Sequence, residues 1–468
     1  MTISDLWILM PLLILALGAL LVLMVGAIMP GRYGTAIGAV CCGGAALWAL
    51  QTPPATQAVA LGIAATPFAR FFTVFFSLTA GAVLVFSHDY VVRREIEGEE
   101  YPATILFAAF GAAALSASVN LLTLFLGLEA LTFGFYVLAA MELKRSISAE
   151  AGIKYLLIGA VAAAFLAFGI ALIYCATGTL EIAGAMQATT TGPDRNTLAL
   201  AGWGLMLTGL AFKGSLVPFH LWTPDVYQGA PTPISGYLAS ASKGGAVAAF
   251  LLLLSRLPDQ TFLRPLLWGL ALLSMVVGNL AALRQENLKR LLAYSSIAQL
   301  GYMTLALLAG RVGHQAAAFY IVVYAAMTLA AFGALAALED GNGPELLEQV
   351  KGLGYRSPLA GASLALGMFA LAGIPPTAGF TGKFLIFSAA LRAGEYPLAI
   401  IGILTAAVSA YYYLRVVVYL YMERPADAGT DAAVPIPAGT LLVLLCFVLL
   451  ILGIQPALLL HYVARILP

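Results

Sequence analysis

Apolar segments long enough to cross a lipid bilayer follow one another along almost the whole chain, and this pattern decides the fold class. Two of them, LLILALGALLVLMVGAIM (12–29) and TLLVLLCFVLLILGI (440–454), contain no charged residue. Of the 468 residues, 62% are hydrophobic and only 10% are charged, which excludes a soluble globular protein. The sequence therefore predicts an all-α integral membrane protein, and its net charge of +1 argues against a nucleic-acid partner.

At about 20 residues per span, we count about fourteen transmembrane helices. The predicted spans are 6–27, 34–50, 67–87, 104–117, 119–141, 152–175, 198–220, 231–256, 262–282, 287–309, 313–337, 360–391, 397–420 and 437–460. Basic residues gather in alternate loops, which the positive-inside rule assigns to the cytoplasm. The predicted cytoplasmic loops carry Arg32, Arg93, Arg94, Lys144, Arg145, Arg284, Lys289, Arg290, Lys351, Arg356 and Arg424, and the opposite loops carry Arg195, Arg256, Arg264, Arg311, Arg392 and Arg465. An even number of spans then puts both termini on the periplasmic side.

Five charged residues stand out because they lie inside predicted spans, whereas others, such as Arg70 and Arg415, are expected nearer the membrane interfaces. The five are Glu129, Lys154, Lys213, Lys243 and Lys383. A charge at bilayer depth costs at least about 2.5–3.5 kcal/mol, so such residues normally face the bundle interior or a hydrated path. A lysine near the membrane surface can instead extend its ammonium group to the interface, and this alternative stays open above all for Lys154.

Prolines accompany two of these lysines. Pro218 follows Lys213, and a Pro-Pro pair precedes Lys383. Because proline removes a backbone hydrogen-bond donor, we expect broken helices near 213–218 and 374–383. Broken helices at membrane depth line water-filled cavities, and two of them in corresponding halves indicate an ion pathway built from inverted repeats.

A shift of 170 residues relates the two halves, since it carries Lys213 onto Lys383 and Glu129 onto Gln299. Burial disfavours the charged form of a lysine, and a nearby carboxylate favours it again. We therefore predict that Glu129 and Lys213 form a proton relay that needs no cofactor. Other polar residues of the spans either carry intervening water chains or bond neighbouring helices. They are Tyr294, Ser295, Ser296, Gln299, Tyr302, His314, Tyr320 and Tyr324.

Three motifs are more specific than this general pattern. They are FKGSLVPFHLWTPDVYQGAPTPISGYLASASKGGA (212–246), ALRQENLKRLLAYSSIAQLGYM (282–303) and LAGIPPTAGFTGKF (371–384). Together they resemble the antiporter-like membrane subunits of bacterial proton-pumping NADH:quinone oxidoreductase, respiratory complex I. WTPDVYQGAPTP and the lysine of GFTGKF resemble subunit N in particular. The resemblance covers residues from about 65 to about 420.

The resemblance implies fourteen helices, two inverted five-helix repeats (helices 4–8 and 9–13) and one proton channel. It implies that Glu129 and Lys213 are the coupling pair, that Lys243 is the central lysine and that Lys383 is the terminal lysine facing the outer exit. The auxiliary candidates are Lys154, His220, Gln299, His314 and Tyr302. Many relatives have histidine where this chain has Gln299, so a histidine relay is not implied here.

The function predicted from these features is that of a proton-translocating membrane-arm subunit of complex I in a bacterial cytoplasmic membrane. Its partners would be other membrane subunits and lipids. No cofactor is expected in this chain, because its four cysteines form no CxxC pair and it has no nucleotide-binding motif. The resemblance implies that NADH, FMN, iron–sulfur clusters and quinone belong to other subunits. Two alternatives stay open, a subunit of a multi-chain Na⁺/H⁺ antiporter and a scaffold with no proton path.

Four parts of the chain are predicted. Residues 1–100 form helices 1–3, and 101–258 form the first repeat. Residues 259–420 form the second, inverted repeat, and 421–468 carry the last helix.

Overall fold

The computed structural model describes residues 3–29, 33–53, 62–96, 98–191, 197–256, 263–339, 345–423 and 434–467. Three arginines of the topology prediction, Arg32, Arg195 and Arg424, lie outside these residues. The described chain is a bundle of α-helices, which confirms the predicted fold class.

Twenty α-helices lie within the described residues. They are α1 (Ile3–Ile28), α2 (Tyr33–Gln51), α3 (Pro67–Arg93), α4 (Glu100–Ser116), α5 (Leu121–Ala139), α6 (Ser146–Thr177), α7 (Ile182–Thr191), α8 (Thr197–Lys213), α9 (Trp222–Gly229), α10 (Thr232–Tyr237), α11 (Lys243–Leu254), α12 (Arg264–Leu283), α13 (Leu288–Leu307), α14 (Gly310–Leu338), α15 (Leu353–Arg356), α16 (Pro358–Ala372), α17 (Ala378–Arg392), α18 (Tyr396–Tyr421), α19 (Ile436–Ile454) and α20 (Ala457–Ile466). A π-helical turn, Leu238–Ser242, joins α10 to α11, and a 3-10 helix spans Leu347–Val350.

Ten helical segments of the described chain are long and apolar enough to cross a membrane, with α10 and α11 counted as one. The other apolar passages are α4, α13 and two interrupted pairs, α8 with α9 and α16 with α17. Counting each of them as one crossing would give fourteen. The total of about fourteen spans stays a prediction, because these passages are shorter, more polar or broken.

Two passages run through the centre of the bundle. The best apolar window of α10–α11 is completely buried, and that of α14 is 94% buried. Helix α14 packs against α3, α10, α11, α16, α17 and α19. The outer helices instead expose large apolar side chains, such as those of Leu157 and Phe168 on α6. Exposing so much apolar surface to water is energetically unfavourable, so these faces are suited to lipid or to neighbouring membrane subunits.

Both expected helix breaks are present. Helix α8 ends at Lys213, and α9 begins only at Trp222. Helix α16 ends at Ala372, where the left-handed Gly373 (φ +85°) closes it, and α17 starts at Ala378. Both breaks contain a proline that cannot donate a backbone hydrogen bond. Lys383 itself lies inside α17, beyond the break.

Two short backbone bridges occupy corresponding positions in the two halves of the described chain, as the predicted inverted repeat would require. In the first half, Leu121 N donates to Leu180 O (2.8 Å) and Ile182 N donates to Val119 O (3.1 Å). In the second half, Leu288 N donates to Glu345 O and Leu347 N donates to Glu286 O, both at 2.8 Å. Each bridge ties the start of α5 or α13 to the segment after α6 or α14. An odd number of crossings separates the two bridges, so they lie at opposite ends of the bundle.

Two close glycine contacts show which residues of the first half correspond to which residues of the second half. A Cβ on Gly111 of α4 would lie 2.4 Å from Leu131 N of α5, and one on Gly278 of α12 would lie 2.7 Å from Ala298 N of α13. Each member of the second pair follows its counterpart by 167 residues, as Leu288 follows Leu121. The predicted shift of 170 residues is therefore wrong by three residues for these helices. Three residues are about one helical turn, so the two registers place side chains on the same face.

Loops assigned to the same membrane side by their charge do meet at the same end of the bundle. Arg94 after α3 pairs with Glu142 after α5 (3.6 Å), and Arg145 pairs with Glu345 after α14. The ion pair between Arg264 and Glu395 belongs to the opposite end. Which end faces the cytoplasm stays a prediction.

Gly111→Ala should lower the thermal stability of the purified protein, because the new methyl group would lie 2.4 Å from Leu131 N and 2.8 Å from Ala130 Cβ, which cannot rotate away. Overpacking of this kind costs about 1–3 kcal/mol. Gly204→Ala in α8 is the matched control, since a Cβ there meets nothing within 4 Å. It should be neutral or stabilising by up to about 1 kcal/mol. Equal melting temperatures for the two variants in the same detergent would contradict the close packing of α4 on α5.

Candidate functional site

Glu129 and Lys213 form a buried ion pair. Glu129 Oε1 on α5 lies 3.0 Å from Lys213 Nζ on α8, and the lysine also donates to Thr132 Oγ1 at 3.0 Å and Tyr136 OH at 3.5 Å. The lysine side chain is only 3% exposed, whereas the glutamate is 23% exposed. Lys213 is also the last residue of α8, where the unpaired carbonyl groups of a helix favour a positive charge.

Lys243 is held differently from Lys213. It begins α11 directly after the π-helical turn, and its ammonium group donates to the hydroxyl group of Ser215 in the first helix break. Its Nζ lies 4.7 Å from the ring centroid of Trp222 and 6.0 Å from that of Tyr227, at distances suited to cation–π attraction. No ion pair to Lys243 is found within the described part of the chain. The charge is therefore stabilised by a hydroxyl group and aromatic faces.

Aromatic rings fill the space between Lys213 and Lys243. Lys213 Nζ lies 5.8 Å from the ring centroid of Tyr136, which meets Tyr155 edge to face at 4.8 Å. Tyr155 stacks on Trp222 at 4.3 Å with an interplanar angle of 12°. The sequence analysis singled out neither Tyr155 nor Trp222, because an aromatic residue in an apolar segment looks like ordinary core.

Lys383 lies at the second helix break. Its Nζ donates to Leu371 O at 2.7 Å and to Ala372 O at 3.2 Å, the last carbonyls of α16. It also lies 5.5 Å from the ring centroid of Tyr302. A Cβ on Gly373 would lie 3.1 Å from Lys383 Cδ, so the glycine leaves room for the side chain. Lys213 thus ends the half-helix before the first break, whereas Lys383 lies after the second break and bonds back to the half-helix that precedes it.

Gln299 is joined to Lys383 through one carbonyl group. Gln299 Nε2 donates to Leu371 O at 3.3 Å, the same oxygen that accepts from Lys383. With the 167-residue register, Gln299 corresponds to Thr132, the hydroxyl partner of Lys213. The predicted match of Gln299 with Glu129 is therefore replaced by a match with a residue one turn further along the same helix face.

Polar side chains continue from Lys243 toward Lys383. The Tyr227 hydroxyl group lies 3.4 Å from Ser296 Oγ, and the neighbouring Ser295 bonds the Tyr413 hydroxyl group. Gln299 Nε2 donates to Tyr413 OH at 3.1 Å. Tyr320 also donates to Gln299 Oε1 at 2.6 Å. We call the succession from Glu129 through Lys213, Lys243 and Gln299 to Lys383 the polar axis.

The auxiliary candidates are spread over several places. Lys154 lies at the outer edge, 43% exposed, and pairs with Glu150 (2.7 Å) and with Asp225 (2.9 Å). Asp225 also pairs with Arg290 of the second half at 2.7 Å. The sequence analysis missed the role of Asp225 as a link between the halves, although it lies within the quoted WTPDVYQGAPTP block.

The other auxiliary residues are buried. Tyr302 beside Lys383 accepts a hydrogen bond from Asn279 at 3.0 Å. His220 lies in the first break, within residues 214–221. His314 Nε2 lies 3.2 Å from Leu307 O, at the turn between α13 and α14, and no hydrogen bond joins it to the described lysines.

Three charged residues that the sequence analysis left in loops are buried. They are Glu142, Lys289 and Glu339, each at most 3% exposed. Lys289 lies in the first turn of α13, and Glu339 directly follows α14. A linear pattern shows that these residues end a span, but it does not show that five chain segments converge there. Within the described residues, no group of three His, Cys, Asp or Glu side chains is arranged to hold a metal ion.

Relatives of known name match this chain over its full length. A sequence model of the family described as "NADH:quinone oxidoreductase/Mrp antiporter, TM" matches residues 118–409. NADH-quinone oxidoreductase subunit N of Geotalea uraniireducens (strain Rf4) is 59% identical over 468 residues and covers 100% of both chains. The protein of the same name from Geobacter metallireducens is 58% identical over 468 residues, again with 100% of both chains covered.

Solved structures share the fold. A chain of respiratory complex I from Thermus thermophilus with bound aureothin is 36% identical, with a TM-score of 0.83, and the match covers 96% of this chain and 98% of that chain. A chain of the Mrp complex from Dietzia sp. has a TM-score of 0.86 over 100% of this chain and 97% of that chain. At 21% identity, the second likeness shows the fold alone.

A double-mutant cycle tests the pair at the start of the polar axis. Glu129→Leu leaves the Lys213 ammonium group without its carboxylate and should destabilise the protein by about 3 kcal/mol, as unpaired buried charges do. Glu129→Leu combined with Lys213→Met removes both charges and should be more stable than Glu129→Leu alone. Thermal unfolding of the detergent-purified protein measures both effects. Strictly additive losses would mean that the two side chains do not interact.

Proposed function

The chain belongs to the NADH-quinone oxidoreductase subunit N family, and on this premise we propose that it is a proton-translocating membrane-arm subunit of an NADH:quinone oxidoreductase. It would lie in a bacterial cytoplasmic membrane beside other membrane subunits, with both termini on the periplasmic side. The observation that carries the proposal is the polar axis. Charged side chains in the centre of a membrane bundle are energetically costly, and they typically mark ion pathways and proton relays.

In the proposed mechanism, the protein moves protons without redox chemistry of its own. The ion pair with Glu129 and the bond to Thr132 favour a protonated Lys213. When Glu129 separates from Lys213, the low-dielectric surroundings favour release of the proton. Water between the side chains would carry it past Tyr155 and Trp222 to Lys243.

The second half of the path would run from Lys243 to Lys383. Ser296, Gln299 and Tyr413 supply hydroxyl and amide groups along it. The proton would leave from Lys383, whose ammonium group the carbonyls at the second break hold in place. Gln299 does not titrate, so it would orient hydrogen bonds and not carry the proton.

The energy would come from NADH oxidation and quinone reduction in partner subunits. NADH, FMN, iron–sulfur clusters and quinone are proposed to bind there and not in this chain. Subunit contacts would transmit the change that opens the Glu129–Lys213 pair.

Lys213→Met should slow proton pumping at least about tenfold, which corresponds to about 1.4 kcal/mol in the barrier. The measurement is proton uptake by inverted membrane vesicles during NADH oxidation, with the amount of assembled complex checked in each strain. Lys144→Met is the control, because that lysine is 66% exposed in a loop, and its pumping should be normal. Normal pumping by an assembled Lys213→Met complex would instead favour a scaffold role.

A tagged copy of the chain, purified in mild detergent, should retain flavin- and iron–sulfur-containing subunits and NADH oxidation activity. Mass spectrometry of the purified material identifies the partners. Recovery of small membrane subunits alone, together with sodium-dependent antiport in vesicles, would move the chain to the Na⁺/H⁺ antiporters.

A further inference from the structure

A second group of charged residues lies at one end of the bundle, away from the polar axis. Five chain segments contribute to it. It consists of Arg94 after α3, Glu142 and Arg145 between α5 and α6, Thr232 at the start of α10, Lys289 in the first turn of α13 and Glu339 after α14.

Three charged groups of this cluster are almost completely removed from solvent, whereas the side chain of Arg145 is 24% exposed. Glu142 is 3% exposed, and Lys289 and Glu339 are each 2% exposed. Taking such charges out of water is expensive, and the mutual attraction of an ion pair often fails to repay the cost. Uncharged residues could hold the same helix ends together at lower cost, so a structural role alone explains the cluster poorly.

One hydroxyl group connects an acid to a base inside the cluster. Thr232 Oγ1 donates a hydrogen bond to Glu339 Oε1 at 2.7 Å, and Lys289 Nζ donates to Thr232 Oγ1 at 3.4 Å. Thr232 is itself fully buried. A hydroxyl group that accepts from one titratable residue and donates to another forms a short proton wire.

Water reaches the outer side of this wire. An open cavity of about 760 Å³ lies at this end of the bundle, and Arg94, Glu142 and Arg145 are in its wall. Arg94 joins the cavity to the buried acid, because it lies 3.6 Å from Glu142 and 3.3 Å from Glu339. Arg145 Nη1 lies 3.6 Å from Glu142 Oε2, so both buried acids face arginines of the cavity wall, and Glu142 itself lines the cavity.

The inner side of the wire points toward the polar axis. Lys289 Nζ donates to Ala230 O at 2.7 Å, in the segment between α9 and α10. Ser235 Oγ, in the same turn region, donates to Tyr227 O at 2.7 Å. The Tyr227 ring lies 6.0 Å from Lys243 Nζ. These separate contacts lead from Lys289 toward the central lysine, and water between them would have to complete a proton path.

We propose that Glu142, Glu339, Thr232 and Lys289 form the port through which protons pass between the water-filled cavity and the polar axis. This inference rests on the proposed function, since a port has a use only if the axis carries protons. It adds to that function an entrance that reaches the polar axis at Lys243, beyond the Lys213 step.

The transfer step conserves protons and needs no further reactant. A proton from cavity water converts the Glu339 carboxylate to the acid. The acid passes its proton to Thr232 Oγ1 while the Thr232 hydroxyl proton moves to a neutral Lys289 amine. Glu339 is then a carboxylate again, Thr232 is a hydroxyl and Lys289 is an ammonium ion. Rotation of the hydroxyl group and departure of the proton toward Lys243 restore the starting state.

Glu339→Gln tests the port directly. The amide keeps an oxygen that accepts from Thr232, so a structural role would be preserved, but it cannot carry a proton. We expect assembled complex with pumping at least about tenfold slower, equivalent to about 1.4 kcal/mol. The loss should grow as the pH rises. Without Glu339, the polar axis would have to take protons directly from the solution, where free protons become scarcer at high pH. The groups facing Glu339 that could also titrate are Tyr90, Arg94, Glu142 and Lys289, on separate elements.

Glu95→Gln is the matched control. Glu95 lines the same cavity but is 67% exposed, and the hydrogen bond from Lys144 and its charge hold the pKa of Glu95 below its usual value. It therefore stays ionised, and its replacement should leave both pumping and its pH profile unchanged.

Two variants of Thr232, Thr232→Val and Thr232→Ser, test the port if Glu339→Gln fails to assemble. Valine keeps the shape but removes the hydroxyl group, whereas serine keeps the hydroxyl group. The port requires slow pumping in the valine variant and recovery in the serine variant. Equal pumping by both, in vesicles where Lys213→Met abolishes it, overturns the port and leaves the proposed function intact. Normal pumping by Lys213→Met as well would overturn the proposed function itself.

Discussion

The cost of a charge inside a membrane is the constraint on which this structure depends. Lys213 and Lys383 meet it at the two helix breaks: Lys213 is the last residue of α8 and pairs with Glu129, and the Lys383 ammonium group binds the last carbonyls of α16. A helix that ends inside the bundle exposes carbonyl groups that have no other partner, and these groups attract a cation. A helix break therefore stabilises a nearby lysine ammonium group, and the ammonium group in turn satisfies carbonyl groups that the break leaves unpaired.

Corresponding helices of the two halves make equivalent contacts, but the chemistry of the two halves differs. With the register of 167 residues, Ser296 stands where the first half has Glu129, and Gln299 stands where it has Thr132. Lys213 thus has a carboxylate partner, whereas Lys383 is bound by backbone oxygens of the described chain. Among the described lysines of the polar axis, only Lys213 has a carboxylate within ion-pair distance. In the proposed mechanism, this asymmetry makes the first half the place where a signal from outside the subunit would act.

The sequence was sufficient for the features that depend on local composition. Apolar segments predicted the all-α membrane fold, prolines predicted both breaks, and charges within spans predicted the lysines of the polar axis. It was insufficient where residues meet across the bundle. The 170-residue shift matched two lysines that lie on opposite sides of their breaks. Glu142, Lys289 and Glu339 looked like loop charges, because the burial of a span end depends on which other ends pack over it.

The proposed port and the terminal lysine give the path a direction through the bundle. The port lies at the end where α14 stops and α13 starts. Lys383 lies on α17, which runs away from that end and finishes at Arg392, near the opposite pair of Arg264 with Glu395. Protons taken up at Glu339 and released beyond Lys383 would cross the full thickness of the bundle by way of Lys243. Because Lys243 has a hydroxyl group and aromatic rings beside it, and no carboxylate within the described residues, no ion pair would have to break when it passes on a proton. Such a middle position suits a carrier that must both receive and pass on its proton.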